Sequence, residues 1–430
     1  MSSTSNPRPA AAGFPQFSLA PSIQRGVAAL GFSEPRPIQA ETIPAALEGR
    51  DVLGLAQTGT GKTAAFVLPI LQRLNSQRRP GPRALILAPT RELAMQIHAE
   101  TCKLAQFTGL KAITIFGGVP AGPQIRGLRA RPDILIACPG RLLDLMQQGY
   151  VKLSAVEVLV LDEADHMFDM GFLPNVKQII KALPAQRQNL LFSATMPPEV
   201  RALTTDLLHE AHVVELAHSQ PAETIEQALY PVPSHRKMDF LRHLLAEDGF
   251  TSAIVFLRTK HRAKKLAQQL SRMGHDAVAL EGNMSQSQRD RAMRGFREGR
   301  FDVLVATDIA ARGIDVANVS HVINFDVPNT PDAYTHRVGR TGRAERRGKA
   351  ITLAGQEDHQ AVRDIERKLG ASIPRLHVEG FEMSTAAPRP HRPQAARPFP
   401  RRSFTPRSGR GAFARQRRDR HASGASLPNS

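Results

Sequence analysis

The chain of 430 residues has no tryptophan, only three tyrosines and only two cysteines. Cys102 and Cys138 fall in neither a CxxC nor a CxxH pattern, which argues against a zinc site or a disulfide framework. So little cysteine fits a reducing, cytoplasmic setting. No apolar run reaches the roughly 18 residues of a membrane-spanning helix, so no membrane partner is expected. The N-terminal segment lacks an unbroken apolar core, which argues against a secretory leader. Acidic residues are also short: 39 Asp and Glu stand against 57 Lys and Arg, a formal net charge of +18. The imbalance is steepest at the C-terminus. From Thr385 to Ser430 there are 11 Arg, no Lys and one acid, Asp419, so this segment carries +10 and the rest +8. A charge excess of that size favours a polyanionic partner.

What is present is a regular alternation. Continuous Val/Ile/Leu/Ala runs at 51–56, 83–88, 111–116, 133–137, 157–161 and 189–192 predict strands covered on both faces. Helical patterns lie between them, at 62–74 and 92–107 for example. The rhythm pauses in the polar stretch 218–226 and resumes with strands at 252–257, 276–280, 302–306, 321–325 and 349–353, and helices at 260–273 and 288–297. Strand–helix alternation of this kind predicts α/β architecture: two tandem doubly wound parallel-sheet domains, 14–217 and 227–379, joined by a linker at 218–226. A loose arm, 1–13, precedes them. A tail rich in Arg, Pro, Ser, Ala and Gly, 380–430, follows and is too poor in apolar residues to fold alone.

The first domain carries a phosphate-binding loop. Ala56, Gln57, Thr58, Gly59, Thr60, Gly61, Lys62 and Thr63 follow a predicted strand and open a helix, the context such a loop requires. Gly59 and Gly61 let backbone N–H groups turn toward phosphates, and the helix N-terminus favours negative charge. Lys62 offers a cation to the β- and γ-phosphates of ATP, and Thr63 a hydroxyl to Mg²⁺. Ala56 stands where the generic pattern has its first Gly. Later in the same domain an apolar strand ends in Asp162-Glu163-Ala164-Asp165. Asp162 is placed to hold Mg²⁺ through water, and Glu163 to orient or deprotonate an attacking water. A solvated acidic helix cap is the plainer alternative; the loop and the strand-end acid pair together in one domain favour phosphoryl chemistry.

With AQTGTGKT and DEAD on the page, the chain resembles the DEAD-box ATP-dependent RNA helicases, and within them the bacterial RhlE-type branch. Further stretches carry the likeness: GFSEPRPIQ (31–39), PTREL (89–93), GG (117–118), CPGR (138–141), SAT (193–195), QSQR (286–289), TDIAARGID (307–315) and HRVGRTGR (336–343). The resemblance implies RecA-like domains and assigns roles. Gln39 reads adenine, and Phe17 stacks on the base or merely anchors the arm. Arg340 and Arg343 are arginine fingers from the second domain, and Asp315 meets the ribose. Ser193, Thr195 and His336 couple the ATP and RNA sites, although a hydroxyl capping the helix from Pro197 would also explain the first two. Thr90, Arg91, Gly118, Gly140, Arg141, Arg289, Thr307 and Gly313 contact the RNA backbone, so little sequence specificity is expected. For any one Arg a surface salt bridge is the plainer reading.

The chain departs from the family pattern at Arg36, Cys138, His166 and Glu281. None of these removes a catalytic group. The tail, with Phe399, Phe404 and Phe413 among its arginines, fits an RNA tether. The expected activity is RNA-dependent ATP hydrolysis coupled to RNA clamping and local, non-processive unwinding. Ribosome-assembly or RNA-decay proteins are compatible partners. The competing readings are an ATP-gated RNA clamp or annealing chaperone, and a DNA translocase.

Overall fold

The protein is described by a computed structural model covering residues 13–56, 59–77, 79, 81–216, 225–247, 249–311, 319–342, 347–379 and 381. The arm before Gly13, most of the expected linker and the arginine-rich tail lie outside the described residues. Among the described residues, no helix is long and apolar enough to cross a membrane.

Seven parallel strands form the first sheet: β1 (Val52–Leu55), β2 (Ala84–Leu87), β3 (Ala112–Ile115), β4 (Ile134–Ala137), β5 (Val158–Leu161), β6 (Gln188–Ser193) and β7 (His212–Glu215). Their spatial order is β3-β4-β2-β5-β6-β1-β7. Alternate residues enter opposite cores. On β5, Val158 and Val160 pack with Phe66 and Ile97 on one face, while Leu159 and Leu161 pack with Leu142 and Met167 on the other. That is why the inner strands read as unbroken apolar runs. Gly54 lies where a Cβ would come within 2.5 Å of the Phe192 ring, which itself packs on Phe66.

The second sheet has six described strands, β8 (Ile225–Pro231), β9 (Ala253–Phe256), β10 (Ala277–Leu280), β11 (Val303–Ala306), β12 (His321–Asn324) and β13 (Gly348–Ala354). They are parallel, in the order β10-β11-β9-β12-β13-β8.

Two edge strands were not expected from sequence. β7 buries only one of its four residues well, so it shows no apolar run. β8 carries Glu226 and Gln227 at an edge and begins at Ile225, inside the stretch read as linker. Ile225 and Glu226 therefore belong to the second lobe. Sheet order places the carboxyl ends of β5, β6 and β1 side by side. Ligands of open parallel sheets bind beyond such ends.

Candidate active site

The loop after β1 turns into the helix Lys62–Asn75 through Gly61, whose backbone is left-handed at φ 92°. A Cβ there would be strained and would meet the Gln39 amide at 2.7 Å. Gln39 Nε2 donates to the Gly61 carbonyl at 3.0 Å, and its Oε1 accepts from the Arg36 N–H at 2.9 Å. The Arg36 guanidinium donates to the Gly59 carbonyl at 2.8 Å. Lys62 is buried; its ammonium donates to the Ala56 carbonyl at 2.8 Å and lies 3.9 Å from Asp162. These groups border a cavity of about 650 Å³, lined also by Thr63, Glu100 and Glu163. Its size suits a nucleotide-scale ligand. Gln57 and Thr58 lie outside the described residues, and Thr60 belongs to the same turn.

Phe17 is a correction. Its side chain is buried in the core and packs edge-on against Phe14, with ring centroids 5.8 Å apart. It does not line the cavity. The aromatic residue on the cavity wall is Phe32, stacked on Phe14. The packing of Phe17 is that of an anchor for the segment before the first helix.

Asp162 and Glu163 follow β5. Burial pushes the Asp162 carboxyl up to about 6, against the opposing charge of Lys62. Glu163 adopts a left-handed backbone, φ 53° and ψ 53°, which is uncommon for a non-glycine residue. Burial also works to raise its carboxyl, but His166 outweighs that and holds it below the usual range. The two touch at 2.9 Å, Glu163 Oε2 to His166 Nδ1.

The last acid of the tetrad ties this strand to β6. Asp165 accepts from the backbone N–H groups of Ala194 (3.1 Å) and Thr195 (2.9 Å) and from the Thr195 hydroxyl (3.0 Å). Ser193 Oγ accepts from the Asp165 N–H and donates to the Thr195 carbonyl. Neither hydroxyl caps the helix Pro198–Leu207, whose N-cap, Pro197, receives no side-chain bond. The two hydroxyls thus serve Asp165 and the backbone after β6 instead of the helix cap.

From the second lobe, His336 on the helix Pro331–Val338 meets His166, with Nδ1 3.0 Å from His166 Nε2. Arg340 is buried beside both rings. Arg343, Asp315 and Gly313 lie outside the described residues.

Comparison with known proteins decides the family. The DEAD/DEAH box helicase model matches residues 36–203, and the helicase conserved C-terminal domain matches residues 236–345. The ATP-dependent RNA helicase CshA of Listeria monocytogenes is 44% identical over 354 residues, 82% of this chain and 68% of that protein. The ATP-dependent RNA helicase RhlB of Pseudomonas syringae is 44% identical over 370 residues, 84% of this chain and 93% of that one. The chain belongs to the DEAD-box ATP-dependent RNA helicases. Among solved structures, S. cerevisiae Dbp5 bound to RNA and ADP BeF3 is 33% identical with a TM-score of 0.77, covering 85% of this chain and 96% of that one. The two α/β lobes are accordingly RecA-like helicase lobes, and the chain is an ATP-dependent RNA helicase.

The residues matched to the helicase's RNA contacts are placed as follows. Thr90 caps the helix Arg91–Ala105 by accepting from the Leu93 N–H at 3.3 Å. Arg91 lies over the Phe116 ring and pairs with Asp290 of the second lobe at 3.3 Å. Arg289 reaches back to Glu92 of the first lobe at 2.5 Å and to the Ala310 carbonyl at 2.6 Å. Gly118 is left-handed, φ 76°, and comes near Gln286 of the second lobe. Gly140 opens the helix Pro139–Gln147, and Arg141 donates to the Val119 carbonyl at 3.1 Å. Thr307 directly follows β11 and is buried.

Sequence reasoning missed three residues. Glu100 lines the cavity; burial raises its carboxyl, opposed by a hydrogen bond from Thr63. The signal was available: Leu93, Gln96, Glu100 and Lys103 form one helical face, and all four reach the cavity. Arg337 is buried and forks onto Asp308 at 2.5 and 2.8 Å, fixing the helix that carries His336. His166 was noted only as a departure from the pattern.

Proposed function

We propose that this helicase hydrolyses ATP in the cavity between the phosphate-binding loop and the end of β5, and that the second lobe completes the site. In this reading Gln39 meets adenine, and Gly59, Gly61 and Lys62 receive the phosphates. Thr63 would hold Mg²⁺, with Asp162 reaching it through water. One hydroxyl and one carboxylate suit a cation that takes its remaining ligands from phosphate oxygens and water. Bound Mg²⁺ neutralises phosphate charge. Glu163 orients the attacking water, and Arg340, with Arg343, stabilises charge on the transferred phosphoryl group.

The observation that carries the reading is that Glu163 feels the charges of Lys62 in its own lobe and Arg340 in the other, while its partner His166 meets His336 at 3.0 Å. Closure on ATP would then bring Thr90, Arg91, Gly118, Gly140 and Arg141 opposite Arg289 and Thr307, around one RNA strand. Clamping one strand separates a short duplex locally, without processive travel, and hydrolysis resets the clamp. A cytoplasmic setting and Mg²⁺ dependence follow.

The test is ATP turnover with and without single-stranded RNA, with DNA of equal length as control. Stimulation by RNA alone is the expected result. Equal rates with and without RNA would uncouple the lobes and favour an ATP-gated binding protein. Equal stimulation by DNA would remove the RNA assignment.

A further inference from the structure

The tetrad is followed by His166, a residue the expected pattern does not require. Its ring is buried and bonded at both nitrogens. Nδ1 faces Glu163 Oε2 at 2.9 Å, and Nε2 faces His336 Nδ1 at 3.0 Å. The two rings are nearly perpendicular, with centroids 4.3 Å apart. Glu163 and His166 belong to the first lobe and His336 to the second. A continuous chain, carboxylate to imidazole to imidazole, therefore crosses the lobe boundary and ends on the group assigned to orient water.

Hydrogen-bond bookkeeping fixes the direction of the first link. An ionised carboxylate only accepts, so Nδ1 of His166 carries the proton facing Glu163 in either charge state of the ring. Burial holds the His336 imidazole well below its ordinary range, so that ring is neutral with one N–H. Its Nε2 has no hydrogen-bond partner and lies 3.9 Å from Asp165. Either state of His166 satisfies the shared contact: neutral, its Nε2 accepts from His336 Nδ1–H; protonated, its Nε2–H donates to His336 Nδ1. The charged groups around the pair are Glu163, Asp165 and Lys62 from the first lobe, and Arg340, Arg337 and Asp308 from the second. Asp165 is held by Thr195 within its own lobe, whereas Glu163 is linked through His166 to the opposite lobe.

We propose that His166 is a positioning residue that passes the closed arrangement of the lobes to Glu163. With His336 in place, the His166 ring is held at both ends, and one oxygen of Glu163 is pinned in a fixed direction. With the lobes apart, His166 loses its His336 bond, and that restraint on Glu163 is removed. Hydrolysis is thereby tied to closure through orientation of the group that directs the water. A misplacement of about 1 Å at such a group costs on the order of 100-fold in rate.

This inference rests on the assignment of Glu163 as the water-orienting residue, so the experiment carries its own control. Steady-state ATP turnover at saturating single-stranded RNA is measured for the full chain and for His166→Ala, His166→Gln, His336→Ala, the double variant His166→Ala/His336→Ala, and Glu163→Gln. Removing His166 lowers kcat by about 10- to 100-fold, with KM for ATP and half-saturating RNA within about threefold. The double variant is no slower than the slower single one, because both break one chain. His166→Gln, which keeps a donor for Glu163, recovers part of the rate and checks that loss of fold is not the cause. Unchanged kcat in His166→Ala, multiplying losses in the double variant, or a rise in half-saturating RNA as large as the fall in kcat would overturn the proposal. Normal turnover by Glu163→Gln would instead bring down the underlying assignment of the water-orienting residue.

Discussion

Beside the end of β5 the lobes meet through two imidazoles, His166 buried and His336 half-buried; beside the helix Arg91–Ala105 they meet through two crossed ion pairs. In the second contact, Arg91 of the first lobe pairs with Asp290 of the second, and the neighbouring Glu92 pairs with Arg289. The charges are swapped between adjacent positions, so each lobe offers one cation and one anion. The imidazole contact is directional, and its Nε2–Nδ1 separation of 3.0 Å leaves little tolerance for displacement. The ion pairs are partly exposed, so salt screens them. Their arginines are also the ones matched to RNA contacts. A phosphate approaching Arg91 or Arg289 competes with the carboxylate already there. One contact is suited to sensing geometry, the other to exchanging a carboxylate for a nucleic-acid backbone.

The sharpest break in that comparison comes on the ATP side. Glu163→Gln is expected to lower single-turnover hydrolysis by about 10²- to 10⁴-fold, while ATP-dependent RNA binding in a filter or anisotropy assay persists. On the other side, Arg289→Ala is expected to raise half-saturating RNA by about tenfold, the scale of one charge-assisted hydrogen bond. Reversing both charges, Glu92→Arg with Arg289→Glu, separates two roles for that arginine. A restored RNA response would mean it holds the lobes; a persistent defect would mean it holds the RNA. Raising salt from about 50 to 200 mM should weaken RNA binding several-fold and move KM for ATP by less than about twofold. Parallel shifts would erase the distinction between the two contacts. The smallest effect is expected from deleting residues after Glu379: RNA affinity falls about threefold and its salt dependence flattens, as loss of an arginine tether requires.

The inner strands were legible because burial on both faces leaves only apolar residues along them, as in β2 and β5. The phosphate-binding loop and the acids after β5 were legible because their chemistry depends on local spacing. The edge strands β7 and β8 were not. An edge exposes one side to water, and four residues with a single well-buried position carry too short a pattern. Phe17 was misplaced because Phe14 stands three residues earlier on the same short turn, and only packing shows which ring lies toward the cavity wall. The His166–His336 contact joins residues 170 apart in sequence, across a boundary whose closure no local periodicity encodes. Arg337 reads as one more surface charge until the fold buries it against Asp308.

Glu163 has a further consequence, for stability rather than rate. Its backbone occupies a left-handed region that favours glycine or asparagine, at a cost of about 1–3 kcal/mol for other residues. Folding alone would place a smaller residue there. Glu163→Asn relieves that cost but also leaves the buried His166 Nδ1–H without its carboxylate acceptor, so the shift in melting temperature reads the balance of the two. Glu163 is thus a position where a relaxed backbone and an acid facing His166 cannot both be had.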